Sequence, residues 1–368
     1  MASEKLDNWL DRHSARLFLL PTVLLILSFS LFPLVISAWL SLSRFKLVAG
    51  GYDISYIGWL NYKKLFTGSQ QFHFLGTFAP ISLVGWLIIA LTAAILFWGI
   101  YTFLISRNIT VIGVIGRLIA FPVLGWLGWL VASTTGEGGR LGSLSTTLYY
   151  VFAGVTLQFL MGTLLAWLCA QNIRGRAFFR LVFFVPLMVT PVGIAYMFRM
   201  LADMSVGPFS PIWKLFGLGE FSWAADPWSA RMVVIIGDSW QWIPFIFIVM
   251  LAAFESQSRD EIEAAELDGA SGWQIFKDIT WPSVVPVAAT VVLIRIIEAF
   301  KIVDLPNVLT NGGPGIATES LTLHSFIEWR ALNLGGSSSV AYLLLVVSTI
   351  ICVSYFQLVV LPMRRARE

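Results

Sequence analysis

The chain has 368 residues, of which 57% are hydrophobic and only 12% charged, and its mean hydropathy is +0.80. A soluble domain carries about 25% charged residues, so this composition excludes a single soluble core, a disordered chain and a nucleic-acid-binding protein. The net charge of +3 is small, and the placement of the charges is more informative than their sum.

A bilayer span needs about 20 apolar residues. In chain order the candidates are Leu17–Leu42, Phe78–Ile105, Ile109–Ala132, Thr147–Ala170, Leu181–Leu201, Met232–Phe254, Ser283–Leu305 and Val340–Leu361. The first is longer than a signal-peptide core and no small-x-small site closes it, so it reads as a retained span. Gly85, Gly99, Gly113 and Gly116 interrupt the second and third, and Arg117 lies within the third. Two full spans are expected there; a single re-entrant hairpin would keep the same parity. The resulting organisation is a cytoplasmic segment at 1–16, a first span and external segment at 17–66, an inserted pair at 67–142, a core at 143–361 and a basic tail at 362–368. Cys169 and Cys352 lie in apolar runs, so neither a disulfide framework nor a thiolate metal site is expected. His13, His73 and His324 are far apart and show no ligand spacing, and no metal site is expected from them.

Lys and Arg in the loops set the orientation. With the N-terminus inside, the cytoplasmic face carries Lys5, Arg12, Arg16, Arg107, Arg174, Arg176, Arg180, Arg259, Lys277, Arg364, Arg365 and Arg367. The outer face carries Arg44, Lys46, Lys63, Lys64, Arg140, Lys214, Arg231 and Arg330. The bias places both termini in the cytoplasm, with lipid around the spans.

The cytoplasmic stretch at 255–282 is unlike the other loops. Ser258 with Glu261, and Ser271 with Gln274, have the spacing of capping boxes that start helices. Gly269 falls where the first helix should stop, and Pro282 is expected to close the second. The first helix is acidic through Asp260, Glu261, Glu263, Glu266 and Asp268. An anionic inner leaflet would repel it, and Ala264 and Ala265 give it a small flank. A docking element for a soluble partner fits better than an amphipathic hairpin lying on headgroups.

These residues resemble a known family. Glu263-Ala264-Ala265, Gly269 and Ile279-Thr280-Trp281-Pro282 look like the EAA loop of ABC-importer permeases, with Trp281 where that family usually has Leu. The longer string from Glu263 to Trp273, then Phe276 and Pro286, is similar to the carbohydrate, binding-protein-dependent branch that includes the maltose importer. Leu20-Pro21 to Phe32-Pro33, Trp39 to Leu42, and Gly58-Trp-Leu-Asn61-Tyr62 resemble that branch's first span and the segment after it. Gly162 to Ala166, Arg174-Gly175-Arg176, Phe178-Phe179-Arg180, Pro186, Phe300 to Asp304 and Leu309 to Pro314 resemble later parts. The likeness fails from about Thr67 to Ser143.

The resemblance implies an all-α integral membrane chain with the type I ABC-importer permease fold, made of six core spans plus about two inserted ones. It implies a second homologous permease, two ATPase subunits and an external or periplasmic substrate-binding protein as partners. Glu263, Ala264, Ala265, Asp268, Gly269, Ile279 and Pro282 would sit in an ATPase groove. The chain lacks a Gly-x-x-x-x-Gly-Lys-Ser/Thr phosphate loop, so ATP and Mg belong to the partner, and this chain is expected to be non-catalytic with no cofactor of its own.

Ionisable groups inside spans mark candidate pathways. Arg295, Glu298, Lys301 and Asp304 alternate in sign at three-residue steps, a spacing that pairs neighbours on a helix. This reads either as a neutralised ladder or as a polar rail beside the substrate path. Asp238, with Trp240, Gln241, Trp242 and Phe245, combines hydroxyl-binding groups with rings that stack on sugars. By the resemblance it aligns with the sugar-lining helix of the maltose permease, where an Asn replaces Asp238. The loops at Leu201–Arg231 and Pro306–Ser339 are candidate docking surfaces for a binding protein. The expected activity is import of a sugar, polyol or sugar derivative across an inner membrane. The alternatives are an ABC permease for another solute and an ion-coupled secondary carrier, although the halves show no internal repeat.

Overall fold

The computed structural model describes residues 18–105, 111–171, 175–217 and 221–365. The segment 1–16, His13 and the anchors Arg107, Arg174 and Arg367 lie outside those residues. Among the described residues, Phe18–Ser41, Leu83–Ile105, Gly113–Thr134, Ser143–Ala170, Pro227–Glu255, Gly272–Ala299 and Leu334–Met363 are long and apolar enough to span a membrane. The fold is predominantly helical.

The chain divides into two compact units, 1–64 with 325–343, and 65–324 with 344–368. In the first, the span Phe18–Ser41 ends in a β-hairpin, Ser43–Val48 paired antiparallel with Gly51–Tyr56. The reading as all-α did not anticipate it. Gly50 makes the turn at φ +89°, a conformation open to Gly because it has no Cβ. Asn61 then donates its amide to the carbonyls of Ser41 (2.9 Å) and Ser43 (3.0 Å), and the Tyr62 hydroxyl donates to Ser41 Oγ. The Gly58-to-Tyr62 motif thus satisfies the open carbonyls where the first span ends.

The second unit begins with the inserted pair. Leu83–Ile105 and Val111–Thr134 are two separate helices. At 1.5 Å rise per residue, each is about 35 Å long, enough for a full crossing rather than half of a re-entrant hairpin. Gly85, Gly99 and Gly128 lie on the seam between them, whereas Gly116 faces open space. A Cβ on Gly85 would meet the Ala132 carbonyl at 2.8 Å, and one on Gly128 would meet Thr92 Oγ1 at 2.5 Å. Small residues let membrane helices approach closely.

Three further expectations are corrected. The stretch taken as Leu181–Leu201 is not one straight span. Arg176–Met188 and Pro191–Ala202 meet at 102°, because Pro191 has no N–H to continue the first helix and Thr190 begins a new one, accepting from Gly193 N–H. Pro282 does not close a helix. The chain runs from Gly272 through a wide π turn at Phe276–Thr280 into Trp281–Ala299 as one continuous helix. The wider turn accommodates a ring that would clash with the carbonyl of an ordinary α turn. Arg231 is not an outer-surface charge: it is buried near the start of Pro227–Glu255, and its Nε donates to Ala317 O at 2.7 Å.

Candidate functional site

The acidic loop folds as a helix, Arg259–Leu267, a turn, and the start of the long helix Gly272–Ala299. Ser258 takes the N-cap position but makes no side-chain capping bond, so the first predicted capping box is absent. The second is complete. Ser271 Oγ accepts from Gln274 N–H, and Gln274 Oε1 accepts from Ser271 N–H at 2.8 Å. Gly269 adopts φ +81°. Its N–H reaches Glu266 O at 3.0 Å and the Ala270 N–H reaches Ala265 O at 2.9 Å, the two bonds of a Schellman motif.

Glu263, Ala264, Asp268, Gly269 and Pro282 are exposed, while Ala265 and Ile279 are half-buried. Between the two helices Leu267 is 89% exposed and Trp273 70% exposed. A large apolar pair on an acidic hairpin has no reason to face water in the working protein. Trp273 stacks on Phe276, which contacts Trp281 and meets Trp167 edge-on at 5.5 Å. The hairpin is thereby fixed to the helix Ser143–Ala170. Gln257 closes its base, donating to Thr280 O at 3.0 Å and to Ser283 Oγ. Arg180 pairs with Glu255 at the same end of the bundle, so this anchor of the orientation argument also has a structural partner.

The pathway candidates divide. Asp238 is buried, and its carboxylate accepts from Gln158 Nε2 at 2.8 Å and forms an ion pair with Arg295. Arg295 Nε donates to Gln158 Oε1 at 2.6 Å, and the guanidinium lies 4.6 Å from the centre of the Trp242 ring. Phe245 packs edge-on against that indole. Asp238, Arg295, Gln158, Trp242 and Phe245 therefore form one cluster joining three helices. Gln241 is buried in the same helix, whereas Trp240 contacts Phe198 instead. Gln158 was not singled out from the sequence; an amide inside an apolar run was the available signal.

The charged ladder of the seventh span is not continuous. The helix ends at Ala299, so Lys301 and Asp304 lie beyond it. Glu298 pairs with Lys301 at 2.6 Å, Arg295 reaches across to Asp238, and Asp304 opens the short helix Asp304–Thr310. At the end of the bundle opposite the hairpin, the loop 312–320 is tied down by Arg231 and by Tyr150, whose hydroxyl donates to Thr318 O. Asp226 caps the helix that carries Asp238; bonds from the Ser229 N–H and then the Ser229 hydroxyl hold its carboxyl below the usual range. A separate cavity of about 300 Å³ opens among Arg199, Leu309, Thr310 and Pro314 and does not include Asp238.

Residues 125–365 match the model of binding-protein-dependent transport system inner membrane components. The chain belongs to that family. It is 31% identical over 226 residues to the trehalose/maltose transport system permease protein MalF of Thermococcus litoralis, covering 61% of this chain and 75% of the relative. Among solved structures, a bacterial ABC transporter involved in import of the acidic polysaccharide alginate matches with TM-score 0.62 at 17% identity, over 99% of this chain and 100% of the other. A second structure, of a bacterial alginate ABC transporter in complex with alginate pentasaccharide-bound periplasmic protein, matches with TM-score 0.60 at 16% identity and 95% coverage of both chains. Coverage this complete places the inserted helices within a shared fold. As a family member the chain is a multi-pass permease of the inner membrane.

Proposed function

We propose that this chain is the membrane subunit of an ATP-driven, binding-protein-dependent importer for a sugar or oligosaccharide. One observation carries the reading: an exposed acidic hairpin, rigidly braced on the bundle, presents Leu267 and Trp273 to the surroundings. Its acidic face and small flank suit a protein groove, and this chain has no phosphate loop to hydrolyse ATP itself. The trehalose/maltose permease among its relatives supports sugar as the cargo class.

In this reading the hairpin residues Glu263, Ala264, Ala265, Asp268, Gly269, Ile279 and Pro282 meet an ATPase that holds ATP and Mg. A second permease completes the pathway, and an external binding protein delivers the cargo to the end of the bundle opposite the hairpin. Both termini lie in the cytoplasm. Trp242 and Phe245 offer ring faces to sugar, while Asp238 and Arg295 set the polarity beside them. The chain moves solute by changing shape and does no bond chemistry.

The test is reconstitution of the chain with a second permease, an ATPase and a binding protein of the same system in proteoliposomes. ATP-dependent uptake of maltodextrins, trehalose or an acidic oligosaccharide is expected. Uptake driven by an ion gradient without the ATPase would overturn the reading.

A further inference from the structure

His73 and His324 are 251 positions apart by their numbers, yet the fold brings both to Glu319. His73 comes from the short helix Gln71–Leu75 that precedes the inserted pair. Glu319 and His324 come from the loop and helix at the outer end of the core. His73 Nε2 lies 2.7 Å from Glu319 Oε1, and His324 Nδ1 lies 3.8 Å from the same oxygen. The two imidazoles stack with centroids 4.0 Å apart and planes at 10°. Glu319 and His324 are buried and His73 is half-buried. Among the described residues, this is a group of three potential ligands whose donor atoms all fall within 4.8 Å of one another.

We infer that His73, Glu319 and His324 form a binding site for one divalent transition-metal ion of the zinc class. Zinc bonds to imidazole nitrogen and carboxylate oxygen are about 2.0–2.2 Å long, so ligand atoms around a tetrahedral ion sit about 3.3 Å apart. The two separations to Glu319 lie on either side of that value. A hydrogen bond from His73 alone would suffice for the carboxylate. The second nitrogen is too far from it for a hydrogen bond and at a distance that a shared ion would bridge.

The donor set is two nitrogens and one carboxylate, which favours zinc over calcium or magnesium, whose ligands are oxygens. Metal binds the neutral form of imidazole. Ser143 Oγ lies 2.9 Å from His324 Nδ1, a contact the ion would displace. Three protein ligands leave a fourth position for water. The ion would fasten the start of the inserted segment to the loop 312–324, which Arg231 and Tyr150 already anchor to the core. The site stands on these side chains alone, whatever the cargo.

The experiment uses the purified, tag-free complex, stripped with a chelator and dialysed. Zn²⁺ alone is titrated by calorimetry, and Co²⁺ is followed by its visible absorption. The expected result is one tight Zn²⁺ per chain, a four-coordinate Co²⁺ spectrum, and affinity at least tenfold weaker in His73→Gln and in His324→Gln. His73 is partly exposed, so its variant keeps the fold, which thermal unfolding in the absence of metal checks. Zn²⁺ should raise the unfolding temperature of the native complex and not that of His73→Gln. If His73→Gln binds Zn²⁺ as tightly as the native chain, or if the native complex takes up none, the site does not exist.

Discussion

The cluster around Arg295 permits a quantitative test. The guanidinium is almost wholly buried and makes three direct contacts, with the Asp238 carboxylate, Gln158 Oε1 and the Trp242 ring, while Glu298 acts on it only through space. Asp238→Ala removes the only anion among them. Gln158 and Trp242 already contact Arg295 in the native state, so they offer no new compensation. Removing one partner of a buried pair costs about 3–5 kcal/mol, most of it from the charge left behind. Arg295→Gln inverts the problem and strands the carboxylate beside an amide. The double variant Asp238→Asn with Arg295→Gln leaves neutral groups that still hydrogen-bond to Gln158. Its cost should fall short of the sum of the single Asp238→Asn and Arg295→Gln costs by about 2 kcal/mol, within the range for residues in contact.

The assay is thermal unfolding of the solubilised complex together with uptake into proteoliposomes. Strict additivity of the two single variants would refute the pairing. The uptake arm separates two roles for Asp238. If the cluster only holds three helices together, the double variant recovers both assembly and transport. If the carboxylate also binds a sugar hydroxyl, assembly returns while uptake stays weakened, because asparagine keeps the shape and a neutral acceptor but not the charge. A hydrogen bond to a charged group is worth roughly 1.5–3 kcal/mol, so substrate capture would weaken by up to about a hundredfold.

Gly269→Val places a β-branched residue at φ +81°. Such left-handed strain costs about 1–3 kcal/mol, and a complex carrying the variant should have its ATPase hydrolyse ATP with little transport while the spans stay inserted, read as uptake per ATP consumed. Leu267→Glu with Trp273→Ala removes the exposed apolar pair and should reduce co-purification of the ATPase without lowering membrane expression. Gly162→Leu should destabilise the bundle by about 1–3 kcal/mol through overpacking, because a Cβ at Gly162 already lies 2.9 Å from Ile246; loss of assembled complex on gel filtration checks it.

Local signals were readable where the physics is local. The Ser271–Gln274 box and the left-handed Gly269 each depend on a few consecutive residues, and both form. Ser258 has the same spacing to Glu261, but in the folded chain its side chain makes no capping bond. The bend at Thr190-Pro191 was also written locally, since Pro lacks the N–H a helix would use; the apolar run masked it. Pro282 misled for the opposite reason: a π turn absorbs its ring. Pairings across the fold were not readable. Gln158 finds Asp238 and Arg295 on two other helices, and single-helix spacing suggested Glu298 as the partner for Arg295. His73 and His324 likewise meet only because the segment before Leu83 folds against the loop that carries Glu319.

The hairpin and the buried cluster share their supports. Asp238 lies on Pro227–Glu255, which leads into the hairpin, and Arg295 lies on Gly272–Ala299, which leaves it. Gln257 and Ser283 clasp these two helices at the hairpin base, and the Asp238–Arg295 pair joins them again deeper in the bundle. At 1.5 Å per residue, about 34 Å of unbroken helix separates Gly272 from Arg295. A packed helix moves as a body rather than deforming along its length. A partner that pulls on the hairpin therefore acts on both helices at once, with the clasp and the ion pair resisting their separation. An ion pair is suited to that position because its attraction falls slowly with distance, whereas packing contacts are lost within an ångström. Arg295 and Asp238 can thus keep the two helices in register.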